Sequence, residues 1–80
     1  MTINDAVAKR TIALLKAKNI TQYRLERDSG IVHGNMDRIL NGQSKTVTLT
    51  TVYKLARGFG MSVFEFLDDD VFRSDELEID

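Results

Sequence analysis

Eighty residues make one small domain at most, and the lack of cysteine excludes a disulfide framework or a thiolate metal site. A single histidine, His33, supplies too few nitrogen ligands for zinc, and no apolar run approaches the roughly 20 residues needed to span a bilayer. The net charge of −1 conceals a division: residues 1–60 carry ten basic side chains against four acidic ones, whereas residues 61–80 carry one against eight. A basic body joined to an acidic tail is a cue for nucleic-acid interaction. The opening TINDAVAKR holds no apolar h-region, so a soluble, cytoplasmic protein without metal or cofactor is expected.

The first helix is expected from Asn4, as N-cap, to Lys18. Val7, Thr11, Leu14 and Leu15 recur at helical spacing there, with Ala8 and Ile12 beside them. Asn19 can end it in a left-handed conformation. Thr21 caps a short helix over Gln22–Ser29, and Gly30 stops it. A third helix is predicted from Val32 to Leu40, closed by Asn41-Gly42. A polar loop leads to Thr48 or Thr50, either of which can cap a fourth helix. That helix would bury Leu49, Val52, Leu55, Ala56 and Phe59 and end at Gly58 and Gly60. Ser62 caps a last short helix, Val63 to Leu67, with Phe64 and Leu67 pointing inward. The tail from Asp68 could add one helical turn through Val71, Phe72 and Leu77, or stay loose. TVTLTTV is the one alternating stretch, and a lone strand would have no partner. The pattern predicts an all-α fold, a five-helix bundle.

Residues 21–42 have the spacing of two helices packed across a tight turn. The turn needs a residue tolerant of positive φ, which Gly30 supplies. Leu25, Ile31, Met36 and Ile39 can pack the pair together. The remaining face of the third helix is polar, with His33, Gly34, Asn35, Asp37 and Arg38. A helix of that width fits the major groove, its N-terminal residues nearest the base edges.

TQYRLERDSGIVHGNMDRILNG, followed by LTTVYKLARGFGMSVFEFL, resembles the Cro/C1-type (XRE-type) helix-turn-helix regulators of bacteria and phages. The resemblance runs from the first helix to about Leu67. It implies a lambda-repressor-like DNA-binding domain over residues 1–67, with the helix-turn-helix at about 21–42, the recognition helix at about 32–40 and a separate acidic tail at 68–80. By the same resemblance, Gln22 touches a phosphate; His33, Gly34, Asn35, Asp37 and Arg38 read bases; and Asn41, Ser44, Lys45 and Thr46 contact the backbone. The Tyr23 hydroxyl, next to Gln22, is a further phosphate candidate, whereas Tyr53 is expected to lie partly buried on the bundle surface.

Three positions depart from the family pattern. Glu26 stands where a small residue is usual, and its carboxylate must reach solvent or pair, with Arg38 or Arg27 as partner. Gly34 lies early in the recognition helix, where it permits close backbone approach. Asp37 would repel phosphates, though it could accept from a cytosine amino group. His33 can bond a guanine or a phosphate, or simply face solvent; protonation would raise its phosphate affinity.

Other constellations carry less. Ser29, His33 and Asp37 sit at i, i+4 and i+8, but Gly30 interrupts the helix and nothing marks an oxyanion hole, so no enzyme is expected. Asp68, Asp69 and Asp70 lack the spacing of a calcium loop. The acidic tail reads as a solvated end, a dimer contact through Val71, Phe72 and Leu77, or an electrostatic brake on the basic face. The expected function is a sequence-specific transcriptional regulator, a repressor, bound to double-stranded DNA as a homodimer on a near-palindromic operator. The competing reading is an antitoxin-like interaction module whose tail binds a partner protein and whose DNA binding is secondary.

Overall fold

Caps set the boundaries of the helices. The computed structural model describes residues 1–44, 47–73, 77 and 78, and among these it contains five α-helices: α1 (Ile3–Ala17), α2 (Gln22–Ser29), α3 (His33–Leu40), α4 (Leu49–Gly58) and α5 (Val63–Leu67). A single 3-10 turn, Asp70–Phe72, follows. Thr21, Thr48 and Ser62 each accept a backbone N–H from the first turn of their helix. At α5 the Glu65 carboxylate returns a bond to the Ser62 N–H, completing a capping box.

The first helix begins earlier than expected. Its cap is Thr2, in a capping box with Asp5. Asn4 lies inside the helix, buried, and its side-chain amide donates to the Ser44 carbonyl at 2.6 Å. A side chain spent on tying α1 to the loop after α3 cannot also cap its own helix. The third helix starts one residue later than predicted, with Val32 as an N-cap that makes no side-chain bond.

One core joins the helices. Leu25 of α2, Met36 of α3, Leu55 of α4 and Phe66 of α5 are fully buried together, and Val7 and Leu14 come in from α1. Thr11 is buried among them, its hydroxyl donating to the Val7 carbonyl at 2.7 Å. Burial of apolar side chains on this scale is the main force holding so small a domain. Gly30 adopts φ 77°, turning the chain between α2 and α3. Gly58 does different work. A Cβ there would stand 2.8 Å from Leu25 Cδ1 and 3.0 Å from Ser29 Cβ, so glycine lets α4 press directly on α2.

Several expected core positions face outward. Leu49 is 71% exposed, because the first residue of α4 stands where the packed stripe of Val52, Leu55, Ala56 and Phe59 has run out. Ile12 lies at the edge of the buried face of α1, and Tyr53 is exposed rather than partly buried. In α5 the inward pair is one residue out of register. Phe64 is 85% exposed and Leu67 faces outward, while Phe66 is fully buried and Val63 packs against the core. One residue is about 100° of helix rotation, enough to exchange the two faces.

The segment after α5 returns to the body. The Arg10 guanidinium donates to the carbonyls of Phe66 (2.8 Å) and Glu65 (2.9 Å) and to Asp69 (3.1 Å), and lies 5.9 Å from the Phe66 ring centroid. Phe72 meets Phe66 with ring centroids 6.1 Å apart. Glu78 forms an isolated parallel bridge with Thr2. Asp68 and Asp70 pair with Arg73.

Candidate nucleic-acid interface

The turn at Gly30 holds α3 across α2 with one side buried. Met36 and Ile39 anchor that side, leaving His33, Gly34, Asn35 and Arg38 exposed and Asp37 half-buried. A polar helix face supported from behind is what a major-groove reader requires.

The flank of α3 next to α2 is a closed network. Glu26, only 13% exposed at its side chain, accepts from Gln22 Nε2 at 2.9 Å and faces His33 Nδ1 at 2.8 Å. Asp37 accepts from the same Gln22 nitrogen at 2.7 Å and faces His33 Nε2 at 3.3 Å. The partners of Glu26 are therefore Gln22 and His33, not Arg38 or Arg27; Arg27 pairs instead with Asp28. Both ring nitrogens of His33 meet carboxylate oxygens, and both can donate only when the ring is an imidazolium. The hydrogen bond to Glu26, reinforced by the charge of Asp37, raises the His33 pKa above its ordinary value near 6.5. Gln22 has two amide hydrogens and two carboxylate acceptors for them. Before it could donate to a phosphate, one of these bonds would have to be exchanged.

The opposite flank is open. A groove of about 820 Å³ runs between α3 and α4 over a floor that includes Ile31 and Ile39. Asn35 and Arg38 line one wall, Thr51 and Lys54 the other, and Gln43 and Ser44 also line it. No motif in the sequence singles out Thr51 and Lys54. Their signal was an i, i+3 polar pair on α4, matching Asn35 and Arg38 on α3, but only the fold sets the two pairs against one groove.

The remaining predicted contacts are spread around this face. Asn41 is exposed at the end of α3, Ser44 is half-buried with its carbonyl held by Asn4, and Tyr23 is exposed on α2. Lys45 and Thr46 lie outside the described residues. Ser29 is buried at the turn, its oxygen accepting from the Ile31 N–H at 3.2 Å. No group of three or more metal-ligating side chains forms among the described residues, and no helix there is long and apolar enough to cross a membrane.

The family model for the Cro/C1-type HTH DNA-binding domain matches residues 12–70, most of the chain. The chain belongs to the Cro/C1-type HTH family. The match begins within α1, spans α2 to α5 and ends at the start of the 3-10 turn, so it takes in the whole helix-turn-helix together with α4, α5 and the end of α1. This membership fits the all-α, lambda-repressor-like architecture and a DNA-binding role. No curated protein and no solved structure matches the chain.

Proposed function

We propose that the protein is a sequence-specific transcriptional regulator, acting as a repressor, that reads the major groove with α3. The observation carrying this reading is the exposed polar face of α3, anchored through Met36 and Ile39 within a Cro/C1-type domain. Base discrimination falls first to Asn35 and Arg38, whose side chains are exposed and outside the Glu26 network. Gly34 lets the DNA approach the helix backbone, and His33 and Asp37 read bases as a coupled pair. Asn41, Ser44, Lys45 and Thr46 hold phosphates at the end of α3, with Tyr23 and Gln22 at its other side.

Repression by occupancy of a near-palindromic operator calls for two copies, one per half-site. Support for self-association comes from the α4–α5 side, where exposed Tyr53 and Phe64 border a shallow apolar hollow with Met61 and Val63. Phe72, by contrast, is occupied by Phe66. Sedimentation of the wild type beside Phe64→Ser should show a dimer weakened by the substitution.

The decisive experiment is selection from a random duplex library, followed by a salt titration of the recovered sequence. A regulator yields a preferred sequence and a linear fall of log affinity with log salt. Replacing Asn35 or Arg38 with Ala then relaxes specificity, whereas replacing Lys45 weakens all sequences alike. Recovery of no preferred sequence refutes the reading.

A further inference from the structure

The two flanks of α3 offer a DNA strand opposite receptions. Toward α2, Glu26 and Asp37 surround His33, so the three side chains sum to −1 with the imidazolium and −2 without its proton. Gln22 and His33 are committed to those carboxylates. Toward α4, the groove is lined by two cations, Arg38 and Lys54, and by no carboxylate. Among the described residues neither cation is paired with an acid within 4.0 Å. A phosphate therefore meets net negative charge around His33 on one side of the recognition helix and two unpaired cations on the other.

The chemistry of the groove specifies its ligand. Cations and neutral donors on facing walls suit an anion rich in oxygen acceptors. At about 820 Å³ the groove is larger than one phosphate ion needs, and it opens along the exposed side of α3. Thr51 and Lys54, one turn apart on α4, present a hydroxyl and an ammonium along its length.

We propose that the groove between α3 and α4 seats the sugar–phosphate backbone of one DNA strand, with Lys54 and Thr51 of α4 as phosphate contacts. Arg38 adds positive charge from the facing wall whichever atom its guanidinium bonds. The contact lies on α4, outside the helix-turn-helix, and fixes the register of α3 in the major groove by bracing the strand beside it. This inference rests on the DNA-binding reading and extends it to residues that reading did not include.

The test measures affinity for two duplexes, the sequence recovered by selection and a scrambled version, across a range of salt. Lys54→Gln removes one phosphate contact, lowering the slope of log affinity against log salt by about 0.9. The wild-type advantage over Lys54→Gln then shrinks about 3.5-fold between 50 and 200 mM salt. Both duplexes lose affinity by the same factor, because a phosphate carries no sequence information. Lys54→Arg keeps the wild-type slope, and Lys16→Gln, at an exposed position on α1, leaves slope and affinity unchanged. Thr51→Ala weakens both duplexes with little change of slope.

A wild type that binds with Lys54→Gln indistinguishable from it overturns the groove proposal and leaves the DNA reading intact. So does a Lys54→Gln loss confined to the selected sequence, which would make Lys54 a base reader. Lys54→Gln binding DNA normally while losing an acidic peptide overturns it in favour of a protein ligand. A wild type that binds neither duplex at low salt removes the DNA reading itself.

Discussion

Replacing Arg10 with Ala should cost about 2–4 kcal/mol, an unusually large effect for a charged residue in so small a domain. The largest part is the bond to the Phe66 carbonyl at 2.8 Å, partly buried and made by a charged donor, a class worth about 1.5–3 kcal/mol. The bond to the Glu65 carbonyl is exposed, and the ion pair with Asp69 is partly so, its carboxylate 38% exposed, so each contributes at most about 1 kcal/mol. Stacking over the Phe66 ring adds about 0.5–1 kcal/mol. These contacts share one guanidinium and do not add fully, which sets the upper limit. Urea unfolding followed by far-UV circular dichroism measures the difference directly. Each kcal/mol should lower the melting temperature of a domain this size by about 4–8 °C. Arg10→Lys keeps the charge but not the planar fork that spans two carbonyls and a carboxylate, and it should recover less than half the loss. A cost for Arg10→Ala below about 0.5 kcal/mol, ordinary for a surface substitution, would refute the idea that this side chain fastens the end of α5 to α1.

Other expectations follow from single positions. Gly58→Ala should destabilise by about 1–3 kcal/mol, since a Cβ 2.8 Å from Leu25 forces α4 away from α2; a melting temperature unchanged from wild type would contradict that packing. Gly34→Ala has the opposite sign. A Cβ added there meets nothing within 4 Å, so the helix should gain up to about 1 kcal/mol of stability in thermal unfolding, while DNA affinity falls because the duplex approaches the bare backbone. Because folding raises the His33 pKa, the stability drawn from its network is complete below the unfolded value near 6.5 and is lost as pH rises through the folded one. Stability measured from pH 6 upward should therefore fall with pH in the wild type, and His33→Gln should abolish that component; parallel profiles would count against it. DNA affinity should fall over the same interval as the flank becomes more negative.

Much of the fold was legible because its punctuation is local. Thr21, Thr48 and Ser62 cap helices through bonds to residues three positions on, and Gly30 and Asn19 take left-handed conformations that few residues accept. Neighbouring residues decide such signals. The facing of α5 was not legible, because a five-residue helix reading VFEFL offers two apolar i, i+3 pairs. Period alone cannot choose Val63 and Phe66 over Phe64 and Leu67. Leu49 followed the right stripe but lay beyond its packed end. Asn4 matched a cap by type, yet a carbonyl forty residues away claimed its amide. In the interface, exposure of the α3 face was readable from Met36 and Ile39. The partners of Glu26 were not: Gln22 lies one turn back on the same helix, where an arginine is the stronger match by charge, and His33 comes within reach only through the crossing of α2 and α3. Lys54 carries no signal of its own in the sequence because a groove is a relation between helices, and each wall read alone is a solvated surface.

The bridge that His33 makes between Glu26 on α2 and Asp37 on its own helix equips the molecule with an internal gauge. The chain has no other histidine, so its titrating imidazole signals in a proton NMR spectrum cannot be confused with those of another imidazole. Their positions report whether α3 is docked on α2, and their titration reports the charge of the flank, in the free protein and on DNA alike. Departure of the recognition helix from its seat, by mutation or by a ligand, would register in one resonance before any loss of binding was measured.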